Sequence, residues 1–143
     1  MTVEGIVETL KAEITSLTGF PAFLLPQKST CNTAHIDLLF QSILRNGEDN
    51  ERLTFSADYR TAGTHARWLT ETVRLSRKLD DSASGAICIP LTVDSIKLRA
   101  YWIRSGKAQW VYPSEDEKSM PAEYVIPGRI EIDIPTRLLE DQT

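Results

Sequence analysis

The chain has 143 residues, of which 41% are hydrophobic and 25% charged, and a formal net charge of −4. That size suits one domain with a core of its own, needing neither disulfide staples nor metal. The acidic balance argues against non-specific nucleic-acid binding, which requires clustered positive charge. No apolar run approaches the roughly 18 residues that span a membrane. The start is acidic and amphipathic, so no secretory leader is expected.

The first predicted element is a helix over residues 2–18. Val3, Ile6, Val7, Leu10, Ile14 and Leu17 recur at helical spacing, opposite Glu8, Lys11 and Glu13. Thr2 is the expected N-cap, Glu4 suits the positive end of the helix and Gly19 ends it. Residues 20–26 read as a short apolar connector held by Pro21 and Pro26. Residues 35–44 alternate Ile36, Leu38 and Phe40 with Asp37 and Gln41, although Leu39 and Ile43 blur the pattern. A strand is the first reading there and a helix the second. A polar turn over residues 46–51 precedes Leu53, Phe55, Ala57 and Tyr59, which alternate with Thr54, Ser56, Asp58 and Arg60. These two segments make an expected long hairpin.

A second helix is predicted over residues 65–79, with Thr64 as N-cap. Its apolar face is Trp68, Leu69, Thr72, Val73, Leu75 and Leu79. Arg67 and Glu71 stand four apart and can pair, and Arg74, Arg77 and Lys78 suit the negative helix end. After a loop over residues 80–85 comes a strand over 86–93, where Pro90 marks an edge or a bulge. Residues 96–104 and 108–112, separated by Ser-Gly-Lys, read as a β-hairpin, and residues 129–134 as a final amphipathic strand. The expectation is one α+β domain over residues 1–137, with a mixed, mainly antiparallel sheet and two helices packed on one face. Residues 138–143 are expected to form a flexible tail.

Chemistry-bearing motifs are missing. There is no GxGxxG, GxxxxGK[ST] or GxSxG. Cys88 lies between Ile87 and Ile89 and reads as a small buried hydrophobe; neither it nor Cys31 has a CxxC or CxxH neighbour, so no zinc site is expected. A catalytic His65 or His35 would need a nucleophile or carboxylate within reach, as in a small α+β enzyme, and His65 reads more simply as a neighbour of the helix start. Asp80-Asp81 and Glu115-Asp116-Glu117 lack the ordered spacing of a calcium loop and read as solvated loops. No cofactor, metal or catalytic residue is assigned.

Surface character says more. Tyr101, Trp102, Trp110, Tyr112 and Tyr124 crowd the strand-rich second half, and alternation must turn some of them outward. Outward aromatics among arginines are typical of protein interfaces. Arg74, Arg77, Arg99, Arg104, Trp102, Trp110 and Tyr112 are therefore the expected contact residues. The helix over 65–79 and the cluster Lys97, Arg99, Arg104 and Lys107 are basic, whereas residues 1–51 and 113–143 are acidic. One reading is a mixed, solvated surface. The other is a heterologous contact, basic face to acidic face, of the kind that closes into rings.

The order amphipathic helix, long hairpin (HIDLLFQSILRNGEDNERLTFSADY), second helix (THARWLTETVRLSRKL), and strands ending in PGRIEIDIP resembles the tail-terminator, or tail-completion, proteins of long-tailed bacteriophages, lambda type. The resemblance covers most of the chain and lies in element order rather than in a signature motif. It implies a hexameric ring that caps the tail tube, stops its polymerisation and meets the head-side connector. The partners so implied are further copies of the chain, the tail-tube protein and the connector, with no membrane and no nucleic-acid specificity. The setting would be the bacterial cytoplasm during assembly and then the virion tail. Another phage neck, head-completion or baseplate component is the neighbouring alternative.

Overall fold

A computed structural model describes residues 1–25, 34–61, 66–81, 86–112 and 122–139. Helix α1 (Val3–Thr18) is capped as the sequence predicts. The Gly5 N–H donates to Thr2 Oγ1 at 3.0 Å, and Gly19 adopts a left-handed φ of 76° to close the helix. Ile6, Val7, Leu10 and Ile14 are buried, while Leu17 lies at the surface. The chain then enters a short strand β1 (Ala22–Leu24), followed by the hairpin β2 (His35–Arg45) and β3 (Asn50–Thr61). Helix α2 (Ala66–Asp81) leads to β4 (Ala86–Val93), β5 (Ile96–Arg104), β6 (Gln109–Val111), β7 (Glu123–Ile126) and β8 (Gly128–Pro135). A 3-10 turn over Thr136–Leu138 follows.

The result is an α+β fold on a single mixed sheet of eight strands, in the order β1-β2-β3-β8-β5-β4, with β7 on β3 and β6 on β7. Only β1 runs parallel to its neighbour β2; every other pairing is antiparallel. Helix α1 touches β4 and β1, the two ends of that order, so the sheet curls around it. Both helices bury side chains in the same cluster as the inward residues of the strands. Strict alternation builds this core: Leu53, Phe55, Ala57 and Tyr59 on β3, and Ile130, Ile132 and Ile134 on β8. Each fully buried Leu, Ile or Phe side chain among them contributes about 1.5–3 kcal/mol. None of the helices among the described residues is long and apolar enough to cross a membrane.

Strands β7 and β8 are one long strand interrupted at Pro127. Ser56 stands opposite Arg129 and Tyr59 opposite Ile126, the same register on both sides of the break. Proline has no N–H to give the ladder, and side chains bridge the gap. The Gly128 N–H donates to Asp58 Oδ1 at 3.2 Å, and the Trp102 indole N–H donates to the Ala57 carbonyl at 3.2 Å. Gly128 leaves room for that indole. A methyl group there would lie 2.6 Å from the Ala57 carbonyl oxygen and overlap the Trp102 ring.

Three expectations need correction. Residues 96–104 and 108–112 do not form a hairpin with each other. The hairpin is β4–β5, turned at Asp94 and Ser95 with φ of 50° and 66°, the two left-handed positions of a tight two-residue turn. Beyond β5 the chain bulges at residues 105–107 and continues as β6 on β7. The Ser105 N–H donates to the Pro127 carbonyl at 3.0 Å, so the bulge lies against the proline break. Cys88 is exposed, because Ile89, Leu91 and Val93 take the inward phase of β4 and leave Cys88, Pro90 and Thr92 outside. Leu138 and Leu139, expected in the tail, pack against the core, and residues 140–143 lie outside the described residues. Pro90 does lie on a strand at the end of the sheet order.

Replacing Gly128 with alanine is expected to lower the free energy of unfolding by at least about 2 kcal/mol, since the methyl overlaps backbone and indole that cannot both retreat. Urea denaturation of the variant measures it; an unchanged midpoint would contradict this account of the seam.

Candidate functional site

The seam fixes what lies beyond it. Strands β6 and β7 form a small extension of the sheet, and α2 lies beside it. The Tyr59 and Thr72 hydroxyls, 2.8 Å apart and buried, tie α2 to the end of β3. Burial pushes the Tyr59 phenol above its ordinary value, so it keeps its proton. Thr72, Leu75 and Leu79 turn inward, but Leu69 and Val73, expected on the same apolar face, turn outward and are 54% and 43% exposed. Across from them Trp110 and Tyr124 meet edge to face, with ring centroids 5.4 Å apart. Leu69, Val73, Arg77, Trp110 and Tyr124 line a groove of about 380 Å³. An adjoining, more open concavity of about 520 Å³ along α2 adds Arg74 and Lys78 to the apolar pair.

Of the seven expected contact residues, Arg74, Arg77 and Trp110 therefore converge on one surface. Tyr112, two residues beyond Trp110, is 73% exposed. Arg99 points from the outer face of β5, away from the core on which α2 packs. The Arg104 guanidinium donates to the Gly106 carbonyl at 2.9 Å and secures the bulge. Trp102 is not a contact residue: it is 0% exposed, because β5 turns Leu98, Ala100 and Trp102 inward and its N–H serves the seam.

The arginines of α2 differ from those of the outer sheet face. There Arg52 bridges Asp133 and Glu131, Arg129 meets Glu131, and Arg60 lies among Asp37, Asp58 and Glu123. The Arg52 guanidinium holds the Asp133 carboxyl below its usual range, whereas burial pushes Asp58 up. Arg74 and Arg77 have no acidic side chain within ion-pair distance among the described residues. Their charge faces solvent beside exposed apolar side chains, the composition of a contact surface.

His35 belongs to the paired face. It is buried, its Nε2 lies 3.4 Å from Asp37 Oδ1, and its ring meets that of Phe23 edge-on. The geometry is that of an imidazole enclosed in an ion-pair cluster. His65, Cys31 and the 115–117 acidic run lie outside the described residues, as do the side chains of Arg67, Trp68, Asp80 and Asp81.

A second exposed apolar region escaped the sequence reading. β1 pairs with β2 from Ile36 to Leu38, and among the described residues no strand pairs with the rest of that edge of β2. A bulge between Phe40 and Ser42 shifts the register there. Leu39, Phe40, Ile43 and Leu44 are exposed, Leu44 by 66%. The signal was the blurred alternation at Leu39 and Ile43, which a bulge and an open edge both produce.

Compared with known proteins, the chain matches no protein-family model and no curated protein.

Tyr59→Phe is expected to lower stability by about 1 kcal/mol through loss of the bond to Thr72; a double-mutant cycle with Thr72→Val reads the coupling. Asp133→Asn tests the outer ladder. The folded carboxyl titrates below its ordinary value of 3.8. Its contribution is therefore complete above that value and lost as pH falls through the folded one. The variant should fall short of the parent near neutral pH, by at most about 1 kcal/mol for so exposed a pair. It should converge with the parent in acid, as urea midpoints across pH report.

Proposed function

We propose that this protein is a phage or prophage structural component of the tail-terminator kind, working through association with copies of itself. In this reading the chain forms a ring, a hexamer by the resemblance. The ring caps the tail tube, ends its polymerisation and presents a face to the head-side connector, first in the bacterial cytoplasm and then in the virion tail. The mechanism is geometric. Head-to-tail contacts close the ring and fix its copy number. One face of the ring complements the tube end and the other does not offer the tube's subunit site again, so growth ends without bond chemistry.

The observation that carries the reading is the α2 surface, where Leu69, Val73 and Trp110 stand exposed beside Arg74 and Arg77. Apolar anchors beside arginines that have no acidic partner among the described residues favour docking to another protein surface. The element order of helix, hairpin, helix and closing strands supports the choice of family. A neck, head-completion or baseplate component would use the same surface, and copy number together with tube capping separates these readings.

Size-exclusion chromatography with light scattering, followed by negative-stain imaging, tests the proposal. The expected result is a single ring-shaped species of several copies, alone or on added tail tubes, and tubes that stop growing once it is supplied. A strict monomer with no effect on tube growth would overturn it.

A further inference from the structure

The protomer carries two exposed apolar surfaces of opposite charge, one at each end of β3. At the Asn50 end, exposed Ile43 and Leu44, one on each face of β2, lead into the turn that bears Glu48 and Asp49, where no described strand covers that edge of β2. At the Thr61 end, β3 pairs with β7 and Tyr59 holds α2, whose Leu69 and Val73 lie beside Arg74 and Arg77. Twelve residues of extended strand separate the ends, about 35 Å at the usual rise. The two surfaces therefore cannot reach each other within one molecule.

We infer that the β2–β3 hairpin tip of one copy seats in the α2 groove of the next. This contact rests on the self-association reading above and supplies its surfaces. The match is chemical on two counts. Apolar side chains meet apolar side chains, and Glu48 and Asp49, which have no basic partner among the described residues, meet Arg74 and Arg77, which have no acidic one. The tip is also held in place. The Asn46 N–H donates to the Asn50 carbonyl at 2.8 Å, the Thr136 N–H to the Asp49 carbonyl at 2.7 Å, and the Asn46 side-chain amide to Asp133 at 3.1 Å. A tip already ordered loses little conformational entropy on docking. Because tip and groove are different surfaces, the contact is head-to-tail, and it forms a ring when the rotation closes.

The test uses the full chain in two charge-reversed forms, Arg74→Glu/Arg77→Glu and Glu48→Lys/Asp49→Lys, followed by light scattering across concentration. Each form alone should need at least about ten-fold more protein to assemble, the effect of about 1.4 kcal/mol per contact. The first form retains an acidic tip and gains an acidic groove; the second is basic at both. Mixed in equal amounts they should assemble in alternation near the parent's concentration, as should one chain carrying all four changes. Unchanged thermal melts would show that the forms are folded. If the parent assembles but the reversed forms assemble equally well, or the mixture and the fourfold variant stay dissociated, the pairing of tip with groove is overturned while self-association stands. A parent that remains monomeric at every concentration and on tail tubes overturns both.

Discussion

The missing N–H of Pro127 is the constraint around which the second half of this fold is arranged. An antiparallel ladder cannot pass a proline unchanged, so the long strand opposite β3 is divided into β7 and β8. Two side chains and one bulge repair the division: Asp58 takes the Gly128 N–H, Trp102 serves the Ala57 carbonyl, and Ser105 caps the proline carbonyl. Each repair has a structural consequence. Trp102 is drawn into the core over a glycine, and the bulge carries the chain from β5 onto β7 as β6. Trp110 thereby comes to face α2.

Charge is divided along the same lines. On the outer sheet face Arg52 lies opposite Asp133, Arg60 meets both members of the facing pair Asp37 and Asp58, and the arginines of β3 and β8 are satisfied within the protomer. On α2 the helix buries one side and leaves the other without a sheet to meet, so its arginines and apolar residues remain at the surface. The hairpin tip is the reverse case, an acidic turn beyond the part of β2 that β1 pairs with. An apolar edge strand without a neighbour among the described residues invites association, which the proposed self-assembly would use.

Much of the fold was legible in the sequence because its signals are local. The Thr2 and Gly19 caps depend only on the residues of the helix end, and the alternation on β3 and β8 reports a half-buried strand wherever that strand lies. The errors came where a partner decides. Ser-Gly-Lys resembles a turn until Pro127 is placed opposite it. Cys88 and Ile89 are both apolar, and only the phase of β4 against the core determines which turns inward. Leu69 and Val73 were read onto one apolar face with Leu75 and Leu79, but they lie on a neighbouring side of the helix that turns away from the core. Within the candidate site, the arginines and the excess of aromatics were visible in the sequence. The choice of Trp110 over Trp102 was not, since alternation alone cannot say which face is covered.

The sequence by itself determined both helices, the longer strands and their order, the α+β class and the segregation of acidic from basic segments, because capping, periodicity and composition act over a few residues. The short strands β1 and β7 it did not show. Tertiary structure decided which strands pair, which tryptophan is buried, and that the basic apolar groove and the acidic apolar tip stand at opposite ends of one strand. Those outcomes depend on contacts between residues far apart in the chain, where a single backbone donor missing at Pro127 redirects the pairing of everything around it.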